Sequence, residues 1–341
     1  MDKNKIDKSN LRKVILSSPE QFEQAMELAG DIKVSGEFDS ITISGMGGSA
    51  LPGNILRVFV NNVLDNSKNK KRIAIFQNRS YSLPPEAYEN SLNFICSYSG
   101  NTEETISSFE EALKNNLPCV GVSNGGKIEQ MCKENNVPFI KLPFPYENFQ
   151  PRMATGYFVM AIFQVLVNCG LIDDVRDEIL TTVEPLSEHI KNLEEEGKNL
   201  AKKLVGKTPI VYSTTKFKSL AMIWKIKINE NAKTPAFWYY FPELNHNEMV
   251  GFTNPQADFS FIFLRDNSEH PQILKRFEVT KKLMEQKGMN VYVYDIVGKT
   301  ILEKLFATIA LGDWTSYYLA LEYGQDPTPV DMVEDFKKML V

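Results

Sequence analysis

The densest set of chemically useful side chains in the sequence is Ser97-Tyr98-Ser99-Gly100-Asn101-Thr102-Glu103-Glu104-Thr105. It follows the apolar run Leu92 to Cys96 and opens a helical pattern, so it is a strand-to-helix loop. The first N–H groups of a helix have no partner within it and carry the positive end of its dipole. Ser97, Ser99 and Thr102 add hydroxyl donors there without net charge, and Gly100 lets the backbone come close; such a loop suits a phosphate. Glu103 and Glu104 oppose an anion unless their side chains point away. A plain helix cap, Asn101 with Glu104 or Ser99 alone, is the competing explanation, although a cap needs one hydroxyl and this loop offers three.

A second loop, Gly45-Met46-Gly47-Gly48-Ser49-Ala50, turns from a short strand, Ser40 to Ser44, into the helix Leu51 to Val60. It approximates G-x-G-x-x-A and so raises a dinucleotide site. Such a unit ends its next strand in an acidic residue that holds the ribose. Here that strand, Ile73 to Gln77, ends in Gln77 and Asn78, so the cofactor expectation loses its support; a tight turn without a ligand also fits. Gln150-Pro151-Arg152 places a guanidinium at the start of an uncharged helix, which is unfavourable beside the positive end of the dipole unless an anion is near.

These stretches, taken with Asn229-Glu230-Asn231-Ala232-Lys233, Glu243-Leu244-Asn245-His246-Asn247-Glu248 and Ile301-Leu302-Glu303-Lys304-Leu305, resemble the bifunctional phosphoglucose/phosphomannose isomerase family of the sugar isomerase (SIS) superfamily. The resemblance runs from about Ile41 to the C-terminus. It implies an aldose–ketose isomerase of glucose 6-phosphate, and of mannose 6-phosphate, that works without cofactor or metal through a cis-enediolate. Under it Ser97, Ser99 and Thr102 hold the phosphate, while Gly47, Gly48 and Ser49 meet the sugar. Glu230 is the base that shuttles a proton between carbons 1 and 2, and Arg152 faces the enediolate. His246 is the ring-opening acid/base, reaching into the site of the other subunit of a homodimer. Lys304 is the lysine at the ring-opening position, with Lys299 nearby as its rival. His189 and His270, the other two of three histidines, lie among charged residues that read as exposed. A non-catalytic sugar-phosphate sensor on the same domain would keep the phosphate loop; Glu230 and His246 together favour the enzyme.

Strands alternating with helices position these loops, which predicts an α/β fold with doubly wound parallel sheets, and the resemblance implies that these are two flavodoxin-like SIS domains. The expected organisation is an N-terminal SIS domain over 1–172, a helical connection over 173–205 and a C-terminal SIS domain over 206–341. Leu11 to Leu28 reads as one amphipathic helix on the first domain, and the charged stretch Asp173 to Val205 as solvent-facing helix. Trp224 to Asn229 alternates apolar and polar like a strand, so the helix over Phe217 to Lys233 follows from the resemblance. Thr214-Thr215-Lys216 holds the place in the second half that the hydroxyl loop holds in the first, a sign of a duplicated fold.

A chain of 341 residues suits two cores. Net charge is -5, and Lys and Arg are spread out, which points away from nucleic acid and toward a small-molecule partner. Cys96, Cys119, Cys132 and Cys169 show no C-x-x-C spacing and form no recognisable zinc pattern with the histidines. Cys96 and Cys119 sit in apolar runs and read as buried thiols of a reducing compartment. Met1 to Lys13 is charged and lacks the apolar stretch of a secretory signal, so a cytoplasmic location is expected. Ala154 to Ile172 carries no charge, but its glycines, Gln164 and Asn168 make it a buried helix rather than a membrane span.

Overall fold

The computed structural model describes residues 6–66 and 72–340; the first residues of the charged N-terminal stretch lie outside it. They fall into two compact units, one Ser17–Glu184, the other Pro185 onward together with the residues up to Leu16. The chain opens with α1 (Leu11–Leu16), then passes through a 3-10 turn at Ser18–Glu20 into α2 (Gln21–Leu28). The single helix expected here is thus two, because Pro19 has no N–H to continue the ladder. Only α2 belongs to the unit that carries the phosphate-type loop.

In that unit β1 (Ser40–Ser44), α3 (Leu51–Asn66), β2 (Ala74–Asn78), β3 (Ser91–Cys96) and α4 (Glu103–Lys114) follow in turn. Then come β4 (Cys119–Ser123), α5 (Gly126–Glu134), β5 (Phe139–Lys141) and α6 (Thr155–Asn168). The strands pair in parallel in the order β2-β1-β3-β4-β5, the flavodoxin-like winding expected. The order reverses between β1 and β3, and a ligand crevice in such sheets opens at the carboxyl ends of that pair. Gly45–Ala50 leaves one of those ends and Ser97–Thr102 the other. α6 is the uncharged helix, buried nearly along its length and packed on α2 and α3. No helix among the described residues is long and apolar enough to cross a membrane.

Next are α7 (Arg176–Asn192) and α8 (Glu194–Leu204). The other sheet follows: β6 (Thr208–Thr214), α9 (Lys218–Ala232), β7 (Phe237–Phe241), α10 (Glu248–Gly251) and β8 (Phe259–Arg265). It closes with α11 (Pro271–Gln286), β9 (Asn290–Asp295), α12 (Ile301–Glu322) and α13 (Asp331–Met339). Its parallel order is β7-β6-β8-β9. The charged stretch before it is not merely solvent-facing. α8 buries Gly197, Leu200, Ala201 and Leu204, and packs on α12 so closely that a Cβ on Gly197 would lie 2.4 Å from that of Trp314. A charge count hides these four because they keep helical spacing on one face.

α9 is a helix, as the resemblance implied and the local alternation did not. Its face on α12 is fixed at helical spacing: Trp224 Nε1 donates to Thr308 O (2.8 Å), Lys227 Nζ lies 2.7 Å from Asp313 Oδ1, and Asn231 Nδ2 donates to Ser316 Oγ (2.9 Å). Gly312 leaves room for the Trp224 ring. Tyr212, Phe241, Phe261, Phe263 and Phe277 fill the core under the second sheet.

Candidate active site

In the unit Ser17–Glu184 the hydroxyl loop is folded onto itself. Ser97 is buried, its Oγ 2.8 Å from Thr102 Oγ1 and accepting from Gly100 N at 3.2 Å. Gly100 has φ +71, and a Cβ there would strike the carbonyl of Gly125, so the residue must be glycine. Ser99 is exposed and Thr102 half-buried, which leaves their hydroxyls at the mouth of the crevice. The competing cap is not built. Thr102, the residue that begins α4, makes no side-chain cap bond, and Asn101 Oδ1 instead accepts from Lys127 N at the start of α5 (3.0 Å). Ser99 Oγ accepts from Asn101 N (3.3 Å), still within the loop. The positive end of α4 therefore faces the hydroxyls without a side chain of its own. Glu103 is turned to Tyr81, whose hydroxyl donates to Oε2 at 3.3 Å.

The glycine loop is joined to this one through Ser49, a buried residue whose Oγ accepts from Tyr98 N at 2.9 Å. Gly47 is exposed with φ +49. Gly48 lies against the backbone of Pro151 and Arg152, where a Cβ would come within 2.5 Å of Arg152 N. Arg152 stands in a 3-10 turn, Pro151–Met153, ahead of α6 rather than inside it, and is 1% exposed. Gly47, Gly48, Ser49, Ser97, Ser99, Thr102 and Arg152 thus belong to one unit, on two loops and one turn that touch. The amides that replace a dinucleotide's acidic residue are used internally: Gln77 Nε2 donates to Ala50 O, and Asn78 Nδ2 to Ser44 Oγ and Ser108 Oγ.

Glu230, His246 and Lys304 belong to the other unit. Glu230 is half-buried in the last turns of α9, off the face that Trp224, Lys227 and Asn231 turn to α12. The helix end is held by Lys233, in the left-handed region, whose Nζ donates to the carbonyls of Glu230, Asn231 and Asp326. His246 is exposed at the end of the 3-10 turn Glu243–His246. That turn is pinned on both sides: Leu244 is buried, Asn245 donates to Thr280 Oγ1 (2.8 Å), and Glu248 accepts from Tyr212 Oη (2.6 Å). Burial raises the Glu248 carboxyl above its ordinary value against the lowering effect of that bond.

Lys304, in the first turn of α12, places Nζ 2.9 Å from Oδ1 of Asp266. Lys299 is exposed, and only its backbone N–H is engaged by a neighbouring side chain, Glu303 Oε2 at 2.6 Å. Asp266 was not singled out in the sequence. It ends β8 at the point where the sheet order reverses between β6 and β8, and the strand-end rule that marked Ser97 would have marked it too. It is buried and accepts from Ser268 N and Oγ as well as from Lys304. Burial opposes its charge, but these bonds outweigh it and hold the carboxyl below its ordinary value.

The remaining histidines have structural partners. His189 is half-buried rather than exposed, its Nδ1 3.1 Å from Glu303 Oε1, while His270 caps α11 by accepting from Gln272 N. Among the described residues no three His, Cys, Asp or Glu side chains are grouped to hold a metal ion. The four cysteines are free thiols, and burial pushes Cys119 and Cys132 up to about 12.

Residues 193–340 match the model of the bacterial phospho-glucose isomerase C-terminal SIS domain. The bifunctional phosphoglucose/phosphomannose isomerase of Caldicellulosiruptor bescii is 38% identical over 344 residues, which span 96% of this chain and 97% of the relative. That of Aquifex aeolicus is 33% identical over 330 residues, 96% of this chain and 97% of its own. Among solved structures, the C-terminal domain of glucosamine-fructose-6-phosphate aminotransferase from Francisella tularensis matches with a TM-score of 0.68 at 16% identity. The match covers 94% of this chain and 98% of that one, a likeness of fold.

Proposed function

Because the chain belongs to the bifunctional phosphoglucose/phosphomannose isomerase family, we propose an assignment of its residues to the steps of that reaction. The protein is an aldose–ketose isomerase that interconverts glucose 6-phosphate and mannose 6-phosphate with fructose 6-phosphate. The phosphate lies on Ser97, Ser99 and Thr102 and the first N–H groups of α4, and the sugar lies along Gly47, Gly48 and Ser49. His246 gives its proton to the ring oxygen as the bond from that oxygen to carbon 1 breaks, assisted by Lys304, and the carbon-1 hydroxyl releases its own proton to solvent to become the carbonyl. Glu230 then takes the proton from carbon 2 of the aldose and returns it to carbon 1. Arg152 stands against the negative charge of the enediolate between those two transfers. This route moves only protons, and it calls on no metal or cofactor.

The observation that carries the assignment is the uncapped start of α4 behind three hydroxyls at the crevice of a flavodoxin-like sheet. Two copies associate, with His246 of one serving the site of the other; its exposure on an otherwise pinned turn supports this. Four free thiols support a cytoplasmic setting. The test is interconversion of fructose 6-phosphate with each aldose, in chelator, by wild type and Glu230→Gln. Wild type turns over both sugars and the variant is slower by at least about 100-fold, the scale of a lost general base. A wild-type protein that binds both phosphosugars and converts neither is a sensor, and the catalytic roles fall.

A further inference from the structure

We infer that Gln21, 131 positions before the arginine it serves, is a positioning residue for Arg152. This rests on the assignment of Arg152 to the enediolate. The turn that bears Arg152 runs into α6, a helix whose preceding residue, Ala154, has no side chain to accept from the first-turn N–H groups. The missing acceptor comes from α2. Gln21 is 4% exposed; its Oε1 accepts from Tyr157 N (3.2 Å) and its Nε2 donates to Met153 O (2.8 Å). A carbonyl demands a donor and an N–H demands an acceptor, so the amide can sit only one way round. One buried side chain thereby ties the residue next to Arg152 to the first turn of the helix behind it.

The surroundings are shaped for this amide. A Cβ on Gly156 would lie 2.8 Å from Gln21 Oε1 and 3.0 Å from Gln21 Cβ, so the glycine is what lets Gln21 in. On its other side the turn meets the backbone of Gly48. Tyr157 adds a second link, its hydroxyl donating to Gln24 Oε1 at 2.7 Å, one turn along α2 from Gln21. The Arg152 backbone is gripped from two directions, which sets where its side chain starts, and its Nη1 donates to Gln150 Oε1 at 3.4 Å. A cap that served stability alone would act on α6 without regard to Arg152; a positioning residue acts only through it.

The experiment is a double-mutant cycle on the full chain with fructose 6-phosphate as substrate. Gln21→Leu removes both hydrogen bonds at similar volume. It lowers kcat by about tenfold or more, since a misplacement of about 1 Å can cost ~100-fold, and leaves KM within about twofold because the phosphate loop is untouched. In an Arg152→Ala background the same substitution produces no further loss. Gly156→Ala, which crowds the amide without removing it, gives the same pattern and carries the test alone where Gln21→Leu does not fold. Gln21→Leu with wild-type kcat, or with an equal loss in the Arg152→Ala background, overturns the inference. Arg152→Ala with unchanged kcat overturns the enediolate assignment itself, whatever Gln21 does.

Discussion

Gly48→Ala has a consequence whose size can be worked out from the backbone. The added Cβ would stand 2.5 Å from Arg152 N, 2.6 Å from Pro151 C and 2.8 Å from Arg152 Cα. All three are main-chain atoms, so no side chain can rotate aside. Ordinary contact begins near 3.4 Å, which leaves a shortfall of about 0.9 Å that the glycine loop or the Arg152 turn must make up. The loop is held by Ser49 to Tyr98 N and the turn by Gln21 to Met153 O, so the two share the shift. A displacement approaching ~1 Å in Arg152, in the role proposed for it, costs up to roughly 100-fold in rate, about 2.7 kcal/mol of transition-state stabilisation. Overpacking of this kind also costs ~1–3 kcal/mol of stability, a fall in Tm of roughly 2–4 °C for each kcal/mol in a unit of this size. Steady-state kinetics with fructose 6-phosphate, run well below the variant's own Tm, separate the two effects. A folded Gly48→Ala protein with wild-type kcat would show that the contact with Arg152 has no bearing on the chemistry.

Two further outcomes follow from the loops. Ser97→Ala combined with Thr102→Val removes both members of the 2.8 Å hydroxyl pair, and KM for every sugar phosphate rises by about 10- to 100-fold at little-changed kcat, since hydrogen bonds to a charged group are worth ~1.5–3 kcal/mol. A fall in kcat at constant KM would take these residues out of phosphate binding. Asp266→Asn leaves Lys304 without its carboxylate, and turnover falls by about tenfold. The Asp266 carboxyl is held below its ordinary value, so its contribution to stability is complete at neutral pH and is lost as pH falls beneath the ordinary carboxylate range. Unfolding followed from pH 7 into acid is accordingly steeper for wild type than for Asp266→Asn, and parallel profiles would contradict the pairing.

Much of the fold was legible because each strand is a short apolar run followed by a turn residue, and each loop that matters sits where such a run ends. The place of the hydroxyl loop, between β3 and α4, could be read without any relative, because the apolar run before it and the helical pattern after it are both plain in the sequence. What could not be read was anything set by pairing across distance. The helix expected over Leu11 to Leu28 breaks at Pro19, a signal that was present and overlooked. The charged stretch after Asp173 hid an apolar face because helical spacing puts only every third or fourth residue on it. α9 was misleading for a physical reason: its buried face carries Lys227 and Asn231, whose partners Asp313 and Ser316 lie far along the chain. Gln21 was invisible for the same reason, being an ordinary polar residue until its partners are known, whereas Asp266 carried a signal in its place at a strand end.

The two sheets share a winding, and they differ in which side chains follow the strands at the point of reversal. Beyond β1 and β3 stand glycines and hydroxyls, and of the two carboxylates in the first turn of α4, Glu103 is turned to Tyr81. Beyond β6 and β8, Thr214 Oγ1 donates to Glu269 Oε1 at 2.6 Å, and the buried Asp266 is paired with Lys304. Two carboxylates there put negative charge where an anion would have to sit, and their bonds are already satisfied from within. Of the two, Asp266 fixes the Lys304 ammonium at the carboxyl edge of the sheet, while Glu269 is engaged by Thr214. Thr214-Thr215-Lys216 leaves the end of β6, which stands in its sheet where β1 stands in the other, so against expectation it holds the place of the glycine loop; the segment in the hydroxyl loop's place is the one after β8, where Asp266 and Glu269 bring carboxylates instead.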